Sequence, residues 1–466
     1  MHIGQLSDQA LSGKMQKKVN PIGGIMNRDI NIRKTGNLLF YLVIGLVPLI
    51  LIPIDGKFQT AWTKLGALTI ISLMYLFYSL MNRRTVTFME NTVENRFLLG
   101  YFVLMAVSVF FSLDPLTSLV GSGYRHDGLL AFILYFFAYL IARNAKQVGK
   151  VMFPLITLTS VIIALYGILQ FYKIDPVPRR FYSMDWVGLA YSTMGNPNFL
   201  GTYLVLSIPV PIYLYFYKGK KYGLLAYSIL FLCLLCTRTR GAWIGAFVSL
   251  LAFLILHQIS MGFKRGQWKK VAAVLVSTLL VMVFFVVTSG DVFLSRLFSI
   301  FIDFSKIIKD DETAYLGGSY RVYVWGKVLE LIRMRPVFGF GIDVMYMAMN
   351  MYFREQIIAD FGRYRNWDKA HNEFLNIAVS SGVFSLLAYL GFLFFVLKKA
   401  FRRMKGNPAF VPLLAAVIGY LTQAMFNIQV VMVYYVFFAY LGVLSSEHAL
   451  EEEEKQRIFP ETAEVQ

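Results

Sequence analysis

The feature that most constrains this chain is a succession of apolar stretches, each close to the length that crosses a bilayer, joined by short polar connections. A spanning helix needs about 20 mostly apolar residues. Such stretches lie near residues 37–53, 65–81, 97–113, 128–144, 150–171, 199–217, 222–237, 241–257, 270–288, 372–397, 410–427 and 429–446. Twelve helices of this kind predict an all-α, polytopic transmembrane bundle, because in lipid a helix satisfies its backbone groups within its own segment. A content of 57% hydrophobic and 16% aromatic residues, with a mean hydropathy of +0.58, excludes an ordinary soluble domain.

The net charge of +18 raises the question of a nucleic-acid partner. None is expected, because the lysines and arginines fall in short clusters between apolar runs and not on one surface. Arg83/Arg84/Arg96, Arg143/Lys146/Lys150, Lys218/Lys220/Lys221, Lys264/Arg265/Lys269/Lys270 and Lys398/Lys399/Arg402/Arg403/Lys405 occupy alternate connections. The positive-inside rule makes these cytoplasmic, and both termini with them. The outer connections are then those around Asp55, 114–127, 172–198, a tight turn at 238–240 and the stretch 289–370.

This divides the chain into a basic cytoplasmic segment (1–35), a membrane domain (36–447) that includes the large extracytoplasmic loop 289–370, and an acidic cytoplasmic tail (448–466), read as solvated from the Glu451–Glu454 run onward. No small-residue cleavage site follows the first apolar run, so no signal peptide is expected. Loops as long as 289–370 usually carry function. Within it, Tyr320 to Met334 reads as an amphipathic helix with Val322, Trp325, Val328, Leu329 and Ile332 on one face and Ser319 as N-cap. Pro336 and the Gly339-x-Gly341 turn end it.

The predicted spans hold almost no ionisable residues, whereas an ion-coupled transporter would keep some. Chemistry is therefore sought in the outer connections. Thr237-Arg238-Thr239-Arg240-Gly241-Ala242-Trp243 sets two arginines in a turn, where they either snorkel at the interface or bind phosphate, whose oxygens match the guanidinium fork. Arg321 lies on a solvated polar face or completes a cationic cradle with them. In Lys369-Ala370-His371-Asn372-Glu373, His371 closes the long loop. An ordinary pKa of about 6.5 suits an outer histidine to general-base work. His2, His257 and His448 fall in cytoplasmic regions, which leaves His126, beside Arg125, as the other histidine of the outer face. Asn196, in Gly195-Asn196-Pro197-Asn198, is a helix-start turn or a substrate contact. Cys233 and Cys236 read as packing residues, since a bare C-x-x-C lacks further ligands and a βαβ context. No zinc spacing, P-loop or G-x-S-x-G elbow occurs, so neither a metal nor a cofactor is expected.

These residues resemble the O-antigen ligase/polymerase superfamily, which includes lipopolysaccharide O-antigen ligases, Wzy-type polysaccharide polymerases and teichuronic acid polymerases. The resemblance covers most of the chain. It is carried by about twelve helices with one large outer loop, Thr239-Arg240-Gly241-Ala242-Trp243, Arg321 and Trp325 ahead of Pro336-x-x-Gly339-x-Gly341, and His371-Asn372 followed after nine residues by Gly382. Ser385 stands where the ligase pattern has a further glycine, Ile244 where an Arg-x-x-x-Leu element has leucine, and Ser380-Ser381 where many relatives carry a glutamate. The subtype stays open.

The resemblance implies a GT-C-like, metal-independent, inverting glycosyltransferase at the outer face of a bacterial plasma membrane. Its donor would be a glycan on undecaprenyl diphosphate, and its acceptor a hydroxyl of a glycan, lipid or protein. Arg238, Arg240 and Arg321 would bind the diphosphate and His371 would be the base, with Asn372 orienting the imidazole or capping a helix, and Arg125, His126 and Asn196 supporting substrate or structure. An outer carboxylate, Asp55, Asp114 or Asp185, is the other candidate base. The rival reading is a lipid or polysaccharide flippase, in which the arginines bind headgroups and no glycosidic bond forms.

Overall fold

The structure, a computed structural model, describes residues 32–83, 86–123, 125–178, 181–182, 186–289 and 317–451. Its helices begin with α1 (Ile32–Leu49), α2 (Thr60–Met81), α3 (Val93–Phe110), α4 (Pro115–Val120), α5 (Leu129–Asn144) and α6 (Gly149–Phe171). They continue with α7 (Pro197–Ser207), α8 (Pro209–Phe216), α9 (Tyr222–Cys236), α10 (Arg240–Met261) and α11 (Gln267–Ser289). After the undescribed residues come α12 (Gly317–Met334), α13 (Met345–Phe361), α14 (Glu373–Ser381), α15 (Val383–Arg403), α16 (Phe410–Ala424) and α17 (Val431–Ser445).

Eight helical segments are long and apolar enough to cross a membrane, counting α7–α8 as one, and α5, α9, α16 and α17 are shorter apolar helices. These correspond to the twelve segments expected, and the chain is a multi-pass helical membrane protein. Among the described residues the strands are a hairpin, β1 (Pro53–Ile54) against β2 (Lys57–Phe58). Its turn, Asp55-Gly56, has positive φ at both residues, as the type I′ hairpin turn requires.

Successive connections lie at opposite ends of the bundle. At one end the hairpin, the α3–α5 connection, the segment before α7, the α9–α10 turn and the α12–α14 region meet. There Lys64 donates to Ile50 O (3.0 Å) and Thr193 O (3.1 Å), Ala190 N to Cys236 O (3.1 Å), and Leu113 N to Phe340 O (3.0 Å). At the other end Gln147 N donates to His448 O (2.9 Å) and Ser260 Oγ to Met404 O (2.5 Å). The lysine-rich connections gather at this second end, with His257 and His448. His2 lies outside the described residues.

Three expectations are corrected, on the 372–397 helix, on Ser319 and on the buried face of the loop helix. The helix expected at 372–397 is two helices, α14 and α15, broken at Gly382 (φ +89°). There the Pro336–Gly341 turn docks backbone to backbone: Val383 N donates to Pro336 O (2.8 Å), Phe340 N to Val379 O and Gly341 N to Ser380 O (both 2.9 Å). A Cβ on Gly382 would run into Val337 O. The loop helix α12 starts at Gly317, so Ser319 lies in its first turn and is not the N-cap. Its buried face is Val324, Val328 and Leu331, while Leu329 is exposed. The face is rotated because α12 packs on Phe340 and on Met345, Met349, Phe353 and Ile357 of α13, forming a second small core. Beyond these, Lys64 of α2 is fully buried and held by backbone carbonyls. Ala449 and Leu450 are buried, and Glu451 after them is exposed; residues 452–466 lie outside the described ones.

Candidate active site

His371 ends the α13–α14 connection with φ +50°, in the left-handed region that β-carbon sterics disfavour. His126 (φ +56°), Arg238 (φ +52°) and Asp343 (φ +59°) share this conformation. Non-glycine residues held this way concentrate where surrounding contacts over-determine the backbone, commonly at functional sites. What holds His371 is visible on both sides. Asn372 is the N-cap of α14, its Oδ1 accepting from Leu375 N at 3.1 Å. Trp325 of α12 donates Nε1 to Ala370 O at 3.0 Å. Of the two roles open to Asn372, the structure shows the cap.

Below the cap, Glu373 is fully buried and accepts from three tyrosine hydroxyls: Tyr389 of α15 (2.6 Å), Tyr420 of α16 (2.7 Å) and Tyr434 of α17 (2.9 Å). The start of α14 thus hangs from three apolar helices.

Charge is arranged in two rungs beside the imidazole. Arg125 Nε lies 2.5 Å from Asp368 Oδ2. One residue on, buried Lys369 Nζ lies 3.1 Å from both Asp127 Oδ2 and Asp343 Oδ1. Ser122 N donates to Asp343 (2.7 Å) and Tyr135 Oη to Asp127 (3.0 Å), so the buried carboxylates keep partners. Burial opposes the charge of Lys369, yet Asp343 and Asp127 hold its pKa above the ordinary lysine value. Burial likewise works to raise Asp368, but the bond from Arg125 and its charge bring it below the usual carboxylate range.

His371 responds to this surrounding. Burial, then the Arg321 guanidinium, push its pKa down to about 4, with Asp368 opposing and Arg125 adding to the fall. At neutral pH the imidazole is uncharged and can accept a proton. An anion bound at Arg321 would raise its basicity by cancelling the charge that lowers it.

Arg125, His126 and Asn196 line one cavity of about 250 Å³, together with Phe58 and Tyr182. Arg125 sits 6.0 Å over the Phe199 ring, and His126 packs on Trp62 at 4.7 Å between centroids. Burial lowers the pKa of His126 despite Asp343 nearby. Asn196 is also the N-cap of α7, accepting from Asn198 N at 2.8 Å, so both of its expected roles are compatible.

The structure therefore brings Arg321 and Arg125 to His371. Arg240 opens α10; beside it Gly241 faces Phe426, whose ring lies 6.3 Å from Trp325, the partner of Ala370. Arg238 lies 5.1 Å over the Phe171 ring at the end of α6. Among the carboxylates considered as bases, Asp114 caps α4, accepting from Leu116 N, Thr117 N and the Thr117 hydroxyl, and that hydroxyl bond holds its pKa low. Asp55 is at the exposed hairpin tip, and Asp185 lies outside the described residues. Cys233 and Cys236 are buried free thiols. Sequence reasoning missed Asp368, Lys369, Asp127 and Asp343. The only trace it offered was opposite charge order in Arg125-x-Asp127 and Asp368-Lys369.

Fold and site together define a multi-pass helical membrane protein with His371, Arg321 and the Arg125–Asp368 pair at one end. Residues 225–390 match the family model of the O-antigen ligase, Wzy_C, and the match supports the O-antigen ligase superfamily. That family implies a ligase- or polymerase-type membrane enzyme acting on lipid-linked glycan. The matched stretch contains Arg238, Arg240, Arg321 and His371. No curated protein matches the chain.

Proposed function

We propose that the protein is an inverting, metal-independent glycosyltransferase that moves a glycan from undecaprenyl diphosphate to a hydroxyl acceptor at the outer face of a bacterial plasma membrane. The observation that carries this reading is His371 at the end of the long connection, within electrostatic reach of both Arg321 and the Arg125–Asp368 pair. The lysine-rich end, by the positive-inside rule, is the cytoplasmic one.

In this reading Arg321, with Arg240 and Arg238, binds the diphosphate. As the bond from the anomeric carbon to the diphosphate oxygen breaks, negative charge grows on the leaving group, and fixed guanidinium groups in a poorly solvated site stabilise it. The acceptor oxygen attacks the anomeric carbon from the opposite side while His371 takes its proton, a contribution of about 10²–10⁴ in rate. Diphosphate binding beside Arg321 would strengthen the base at the moment it is needed.

The test is turnover by the purified protein in liposomes with lipid-linked glycan from producing cells. His371→Ala and Arg240→Ala are expected to insert and fold normally yet release no undecaprenyl diphosphate. Full turnover by both sinks the reading. Movement of labelled lipid without a new glycosidic bond would establish the flippase instead.

A further inference from the structure

The cavity beside Arg125 has a composition that the diphosphate chemistry does not use. One wall is aromatic: the Phe58 ring lies 5.1 Å from Tyr182, and Tyr182 in turn is 5.0 Å from Tyr191. Tyr182 is fixed at its hydroxyl by Tyr166 and by Gln170 Nε2 (3.2 Å). The lining also includes the Phe199 ring, with Arg125 6.0 Å over it. Gln59, His126 and Asn196 add polar groups to the lining.

Three classes of occupant can be weighed. A lipid tail would leave these polar groups facing hydrocarbon, a cost that rises with each unsatisfied group. Phosphate would need excess positive charge, yet Arg125 is matched by Asp368 at 2.5 Å. A pyranose fits both features, because its axial C–H face packs on aromatic rings while its hydroxyl rim bonds amide, imidazole and guanidinium groups. The volume of about 250 Å³ suits one such ring.

We propose that this cavity, between the Phe58–Tyr182 wall and Arg125, is a subsite for a single uncharged pyranose, the terminal sugar of the acceptor. The assignment to the acceptor rests on the reading above that His371 receives the acceptor proton. Arg125 joins the cavity to His371 through Asp368, whereas Arg321 acts on His371 separately and belongs to the donor. The site is thereby divided, with sugar recognition by rings and neutral groups on one side and phosphate recognition by cations on the other. Acceptor choice would then be set by residues 58–59, 126 and 196, none of which lies in the family-matched stretch 225–390.

The experiment uses the full chain in sugar-free nanodiscs, with saturation-transfer NMR on free neutral hexoses and N-acetylhexosamines at concentrations suited to about millimolar affinity. At least one pyranose is expected to show transfer. The signal should fall at least about tenfold in Gln59→Trp and in Met432→Trp, which fill the cavity from different elements, and persist in Arg321→Ala and His371→Ala. Thermal unfolding of each variant confirms that it is folded; should one cavity variant unfold, the other decides. Absence of any transfer, or transfer indifferent to the folded cavity-filling variant, overturns the subsite. The two ideas separate: sugar binding without glycosidic-bond formation sinks the transferase reading alone, and turnover without sugar binding sinks the subsite alone.

Discussion

Lys369 Nζ and Asp127 Oδ2, from segments 242 residues apart in sequence, meet at 3.1 Å with both side chains almost fully buried. Asp343 shares the same ammonium at the same distance. A buried ion pair adds little net stability when complete, but removing one partner strands a charge that water cannot reach.

Lys369→Met should therefore destabilise the protein strongly, by about 3–5 kcal/mol, because two carboxylates lose their counter-charge. Adding Asp127→Asn to Lys369→Met should recover part of the loss. Thermal unfolding of the purified variants in one detergent measures both. A single variant as stable as the parent would show that the trio does not hold the loops.

The pH dependence of turnover should move in opposite directions for two neighbours of His371. The active form is the neutral imidazole, so activity falls as pH drops through its pKa. Arg321→Gln removes a charge that lowers that pKa, and the acid limb of residual kcat/KM should shift to higher pH. Asp368→Asn removes a charge that raises it, so the limb should shift to lower pH. Shifts of the same sign in both variants would remove His371 as the titrating base.

Glu373→Gln tests the three-tyrosine anchor. A glutamine offers one oxygen and one amide nitrogen that only donates, so at least one tyrosine hydroxyl loses its acceptor. The expected loss is about 1–3 kcal/mol, read as a lower unfolding temperature. Glu373→Leu should cost more, since all three hydroxyls then stay buried without that acceptor.

Gly382→Ala should abolish the folded protein. The new Cβ would meet Val337 O at a positive φ where the Pro336–Gly341 turn bonds directly to the α14–α15 break. Expression as a fluorescent fusion with size-exclusion analysis distinguishes a monodisperse from an aggregated product.

The twelve apolar segments and the separation of the two ends were legible in the sequence, because span length and alternating basic connections are local signals. The position of His371, at the end of the long loop and just before an apolar helix, was legible in the same way. The pairings of Arg125 with Asp368 and of Lys369 with Asp127 and Asp343 were not, since partners more than 200 residues apart leave no periodic trace. The break at Gly382 escaped for a related reason. Residues 372–397 read as one apolar run, and the interruption comes from a turn that docks from elsewhere in the chain. Leu329 was misassigned to the buried face of α12 because its partner helix α13, and not the bilayer, decides which side is covered.

The two charged rungs also bear on how such a protein can be recombined. The stretch 225–390 carries His371, Asp368, Lys369 and Asp343, but Arg125 and Asp127 lie a hundred residues upstream of it. A chimera that exchanges only the matched stretch with that of a relative would separate each rung from its other half. Residues 121–128 must travel with it, so the exchangeable module is discontinuous in sequence although it is contiguous in space.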